Sequence, residues 1–133
     1  MFSPEEISYI QTQPLGRIAT VSASGQSDVA PIGFKFDGKK FFIGGFDVTK
    51  TFKYKNVKNG NVRVALVIDD LASLNPWTPR GVKIHGIAEI GESHGRAVLI
   101  ITPERSWSWG IHKQSFVDGK PSSRKTKHST ENA

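Results

Sequence analysis

Lys53 and Asn56 stand three residues apart in a run, Thr49 to Gly60, that holds four of the five basic residues between Lys50 and Arg63. On a helix turning about 100° per residue, Thr49, Lys50, Lys53, Asn56 and Val57 share roughly one third of the circumference, and Lys55 and Lys58 point elsewhere. An ammonium and an amide one turn apart supply the donors that an oxyanion such as a phosphate needs. Phe52 and Val57 are expected to anchor the helix in the core, bringing Lys53 and Asn56 out at the edge of the packed face. The competing reading is a solvated basic surface.

Other chemistry is sparse. The chain has no cysteine, which excludes thiol nucleophiles, disulfides and Cys-ligated metal. His85, His94, His112 and His128 are isolated, without metal-ligand spacing, and no metal site is expected. Asp69-Asp70 suits a turn at a strand end, Gly44-Gly45 a strand end, and no glycine-rich phosphate fingerprint occurs. With neither a nucleophile nor a general base in view, no side chain is assigned a catalytic role. The reaction class that remains open is one in which a bound cofactor carries the reactivity and the protein binds, orients and excludes water.

These residues lie on a chain of 133 amino acids, the length of one domain that needs no metal or disulfide staple. The start, Met1-Phe2-Ser3-Pro4-Glu5-Glu6, has no basic region followed by an apolar one, and no apolar stretch approaches membrane-spanning length. A soluble cytoplasmic protein without membrane contact is the expectation. A net charge of +6 raises an anionic partner, either a small molecule or nucleic acid. Part of that charge lies after Ile111, in Lys113, Lys120, Arg124, Lys125 and Lys127, among serines and Pro121. Residues 112–133 are therefore expected to be a disordered basic tail on a domain spanning 1–111.

The patterning places the basic helix between β-strands. Ser3-Pro4-Glu5-Glu6 combines an N-cap serine, proline at the first helical position and the glutamate of a capping box, predicting a helix to about Gln11. Two hairpins follow: Gly16 to Ser22 with Ser27 to Phe36, then, across Asp37-Gly38, Lys40 to Phe46. Gly60 ends the basic helix. Strands are then expected at Asn61 to Asp69, Arg80 to Gly91, Ala97 to Thr102 and Ser106 to Ile111. The whole is a mainly β domain with two short helices and six to seven antiparallel strands, a meander suited to barrel closure.

Four blocks in this order carry a resemblance: Gly16 to Ser22, Gly25 to Phe34, Lys50 to Asn56 with Asn61 to Leu66, and Pro76 to Glu89 with Ile101 to Ile111. Together they resemble the pyridoxamine 5′-phosphate oxidase-like, FMN-binding-like split β-barrels, and within them the small deazaflavin (coenzyme F420)-dependent oxidoreductases. The likeness covers about residues 5 to 111. It implies a homodimer with cofactor sites at the subunit interface and hydride transfer between F420, or alternatively FMN, and an unsaturated small-molecule substrate; a non-catalytic flavin- or deazaflavin-binding protein is the other alternative. It also implies cofactor contacts. Lys53 and Asn56 would match the Lys-x-x-Asn phosphate grip, with Thr51 and Lys50 beside it. Asp28, Ala30, Pro31 and Ile32 would meet the ring, and Trp77, Arg80 and Trp109 would reach it from the partner chain. Thr51 stands where many relatives carry a basic residue. Pro31 equally suits an edge strand, and Trp77 and Trp109 equally suit a dimer interface. A nucleic-acid partner is not expected, for want of a reading helix or a surface pair of strand aromatics.

Overall fold

The structure, a computed structural model, describes residues 1–112, 116–117, 120–121 and 123–129. Helix α1 (Pro4–Thr12) opens the chain. Its capping box forms as the sequence requires: the Glu6 N–H donates to Ser3 Oγ at 3.1 Å and the Ser3 N–H to Glu6 Oε1 at 2.9 Å. Strands β1 (Gly16–Val21) and β2 (Ser27–Ile32) make the first hairpin, and the short β3 (Lys35–Phe36) and β4 (Phe41–Ile43) make the second. A 3-10 turn (Val48–Lys50) leads into α2 (Phe52–Lys58). Three long strands follow: β5 (Arg63–Ser73), β6 (Thr78–Ser93) and β7 (Arg96–Trp109). After them come β8 (Phe116–Val117), β9 (Lys120–Pro121) and β10 (Ser123–Lys127).

Eight strands form one antiparallel sheet in the order β2-β1-β5-β6-β7-β4-β3, with β10 added along β7. Its ends, β2 and β3, do not pair with each other, so the sheet curls without closing. Alternate residues of β1, β5, β6 and β7 point inward, and Ile18, Leu66, Ile68, Val82, Ile84, Leu99 and Ile101 fill the core with Phe41 and Ile43 of β4. Helix α1 adds Ile10 and α2 adds Val57 to the same cluster.

Four expectations change. Ala97 to Thr102 and Ser106 to Trp109 belong to one strand, β7, because a bulge at Glu104 on β7, opposite His85 and Gly86 of β6, absorbs the register shift that a break would otherwise have served. The strand count exceeds six to seven, since β3 and β10 pair despite carrying few apolar residues. Part of the tail is ordered: Ser123–Lys127 lies against Arg105–Trp109, although other stretches of 112–133 lie outside the described residues. Finally, Phe52 is 68% exposed instead of anchoring α2. The buried arc of α2 is Lys53, Asn56 and Val57, and Gly60, at φ 105°, ends the helix as expected. There the Asn61 N–H reaches Asn56 O and the Gly60 N–H reaches Val57 O, a Schellman closure that only a left-handed residue permits cheaply.

Candidate anion site on helix α2

Thr51 fixes where α2 begins. As its N-cap, the hydroxyl accepts from the Tyr54 N–H at 3.4 Å and donates to Val48 O at 2.6 Å, joining the 3-10 turn to the helix. Asp47 caps the turn itself by accepting the Thr49 N–H at 3.1 Å. With both ends pinned, α2 lays Lys53 and Asn56 against β1 and β2.

Asn56 is 5% exposed and donates from Nδ2 to Thr20 Oγ1 at 2.9 Å. That bond uses one of the two amide hydrogens. Lys53 is 8% exposed, and among the described residues its ammonium makes no hydrogen bond or ion pair. Burial holds its pKa below the usual lysine range, and the negative charge of Asp28, directly across from Thr20 in the β1–β2 ladder, pulls the other way. A nearly buried cation without a hydrogen-bonding partner is costly in a finished fold. Here it stands one turn from a half-satisfied amide, and that donor set fits a phosphate or carboxylate.

The other sequence-predicted residues divide into two groups. Near Lys53 and Asn56 lie Thr51, occupied as a cap; Lys50, exposed at the edge of a depression of about 410 Å³ that Arg96 also lines; and β2 with Asp28, Ala30, Pro31 and Ile32. Among the described residues β2 is a free sheet edge, so one side of its backbone pairs with no strand. Pro31, exposed and facing Arg17, suits that edge, and Ile32 is buried in the core.

The second group is Trp77, Arg80 and Trp109. Arg80 pairs with Asp70, whereas Thr20 is level with Val64 on β5, roughly 20 Å away along the strand at about 3.3 Å per residue. Within one chain the fold does not bring this group to Lys53. Trp77 is 67% exposed on the β5–β6 turn. Trp109 lies so close over Gly81 that a Cβ there would come within 2.6 Å of its ring.

Arg80 is already engaged. Its Nε and Nη2 donate to both oxygens of Asp70 at 2.7 and 3.0 Å, and the guanidinium lies 5.1 Å from the centre of the Tyr9 ring. The Tyr9 hydroxyl also donates to Asp70, at 2.7 Å. These bonds hold the Asp70 carboxyl below its ordinary range, Arg80 contributing most, while burial and the neighbouring carboxylate raise the Tyr9 hydroxyl. Sequence reasoning missed Tyr9, Asp70 and Thr20. The signal for Thr20 was available, because the inward alternation Gly16, Ile18, Thr20 puts a hydroxyl in the core beneath a helix carrying an amide.

The family model described as pyridoxamine 5′-phosphate oxidase matches residues 3–120, and the chain belongs to that family. Its fold is the split β-barrel. A 5a,11a-dehydrotetracycline/5a,11a-dehydrooxytetracycline reductase from Streptomyces rimosus subsp. rimosus is 36% identical over 120 residues, covering 83% of this chain and 84% of the relative. Among solved structures, an F420 reductase superposes with a TM-score of 0.56 at 22% identity, over 71% of this chain and 90% of that one. A heme binding protein from Mycobacterium smegmatis reaches 0.72 at 14% identity, over 96% of this chain and 60% of that one. At such identities these two likenesses speak for the fold alone.

Proposed function

We propose that this protein is a deazaflavin (coenzyme F420)-dependent oxidoreductase that works as a homodimer and transfers a hydride between the cofactor and an unsaturated small molecule. The observation that carries the reading is the nearly buried ammonium of Lys53, without a partner among the described residues, beside Asn56. The 36% identical relative, a reductase of compounds that are dehydro by name, supports both an oxidoreductase and an unsaturated acceptor. The fold shared with an F420 reductase is compatible with the deazaflavin.

When bound, the cofactor would supply the hydride chemistry that no side chain of this chain offers. Lys53 and the free amide hydrogen of Asn56 hold its phosphate, and Asp28 favours the charged form of the lysine that this task needs. The unpaired edge of β2 offers backbone donors and acceptors to the polar rim of the ring, and the bare edge at Pro31 lets it come close. Trp77 and Trp109 belong to the partner's side of the site in this reading, because neither lies near Lys53 within a chain. Arg80 needs a further step, since Asp70 already holds it.

Separate fluorescence titrations with F420 and FMN test the assignment. Saturable quenching with F420 and weaker or no response to FMN is expected. The reverse order would place the protein on the FMN side of the family, and binding of neither would remove the site.

A further inference from the structure

The register between strands gathers positive charge on one outer face, where the sequence shows only scattered lysines. Lys83 of β6 lies opposite Trp107 of β7, which lies opposite Lys125 of β10. One step along, His85 lies opposite Arg105, which lies opposite Lys127. Strand alternation turns all six outward, since Val82, Ile84, Ser106 and Ser108 take the buried positions. The face is thus two parallel rows roughly 7 Å apart, each spanning three strands over about 10 Å.

Three features mark it as more than a solubilising surface. Arg105 and Lys127 face each other directly across the ladder, an arrangement that costs stability in isolation. Among the described residues, Lys83, Arg105, Lys125 and Lys127 form no ion pair, while Asp69 and Glu104 are bound to Arg17 and Arg63. An aromatic platform sits in the middle: the half-buried Trp107 has the Lys83 ammonium 4.8 Å from its ring centre and the His85 ring edge-on at 4.7 Å. A second copy of this chain would set like charge on like charge at such a face. Backbone phosphates would relieve the repulsion, and an unstacked base would find the indole.

We propose that the outer face of β6, β7 and β10 binds single-stranded nucleic acid without sequence preference, through Lys83, Arg105, Lys125 and Lys127 on phosphates and Trp107 against a base. Within one chain the face shares no residue with the Lys53 site, although Trp109, the next outward residue after Trp107 on β7, is one that the proposed function brings to the partner's site. Duplexes fit it less well, because their bases are stacked away from an aromatic platform.

The test is fluorescence anisotropy of labelled oligo-dT with the full chain, without cofactor, across a salt series. Binding should weaken linearly in log–log form, and Lys125→Ala/Lys127→Ala should lower the slope by about 1.4, or about 0.7 per phosphate contact. Lys39→Ala/Lys40→Ala, which removes the same charge from the β3–β4 turn, should leave the slope alone. Trp107→Leu should weaken binding roughly five- to a hundredfold, the range for one stacked base. Equal slopes for the two double variants would overturn the site. Inorganic polyphosphate binding as tightly as oligo-dT, with Trp107→Leu unchanged, would overturn the nucleic-acid assignment. Absence of oligo-dT binding at low salt would overturn both.

Discussion

The Glu6 carboxylate and the Lys53 ammonium are both drawn out of water by this fold and are answered in opposite ways. Arg124, on β10, reaches the wholly buried carboxylate of Glu6, which also accepts from the Ser108 hydroxyl and caps α1 through Ser3. Every oxygen of that carboxylate has partners from the chain itself. Lys53 is nearly as buried, and among the described residues it has only the field of Asp28, which lies opposite Thr20 on the β1–β2 ladder. A buried charge that the chain satisfies is part of how the chain folds. One that the described residues leave unsatisfied is what a bound anion would complete, and on the proposed reading that contrast separates a structural charge from a binding one.

The largest effect should come from breaking the satisfied pair. Glu6→Ala leaves the Arg124 guanidinium, the Ser108 hydroxyl and the Ser3 N–H without their common acceptor, and should cost about 3 kcal/mol of stability, the low end for a broken buried pair because Arg124 is partly exposed. Urea denaturation of the variant measures it. Glu6→Gln, which keeps the shape and part of the hydrogen bonding, should lose clearly less. A loss below about 0.5 kcal/mol for Glu6→Ala would mean that β10 is not held by this network.

Breaking the unsatisfied cation should do the converse. Lys53→Ala should weaken cofactor binding about ten- to a hundredfold, as expected for one charge-assisted hydrogen bond of roughly 1.5–3 kcal/mol. Its stability should be unchanged or slightly raised, since a desolvated charge disappears. Lys58→Ala removes the same charge from the exposed side of α2 and should change affinity only through electrostatics that salt screens. Isothermal titration with F420 and thermal melts separate the two terms. If Lys53→Ala and Lys58→Ala bind equally, the comparison fails and α2 is a solvated basic surface.

Both buried charges were within reach of the sequence to different degrees. Lys53 and Asn56 could be found because helical spacing is local, and the capping box that places Glu6 is local too. The rotation of α2 was misjudged: hydrophobicity favoured Phe52 as the anchor, whereas the helix turns Phe52 outward and buries the polar pair. Which side packs is decided by the sheet underneath, here by the Thr20 hydroxyl that takes the Asn56 amide. The tail was unreadable for a related reason. Ser123 to His128 is polar enough to be left in water, and Ser123–Lys127 forms a strand because β7 turns Ser108 inward opposite Arg124 and turns the Ser106 hydroxyl to the His128 ring. Long-range pairing of polar groups leaves no periodic apolar trace in a sequence.

The smallest expected effect tests that tail contact through pH. His128 shares a hydrogen bond of 2.8 Å with Ser106, and its ring lies 4.4 Å from that of Phe2. Burial lowers its pKa to about 4; the N-terminal ammonium and Arg124 add to the shift, and Glu6 opposes it. The folded protein therefore keeps His128 neutral between about pH 4 and the ordinary histidine value near 6.5, while the unfolded chain takes up a proton there. Stability contributed by this residue is present above about pH 6.5 and is lost as the pH falls toward 4. Below that both states are protonated and the loss stops. The effect should be smaller than that of Glu6→Ala, because the ring is partly exposed and water screens it. His128→Gln cannot take up the proton, so its denaturation midpoint should fall behind the wild type at pH 7.5 and close the gap, or pass it, by pH 5. Carboxylates that titrate in the same range act equally on both proteins and cancel in the difference. Midpoints that stay parallel across the range would show that His128 is not held neutral against β7.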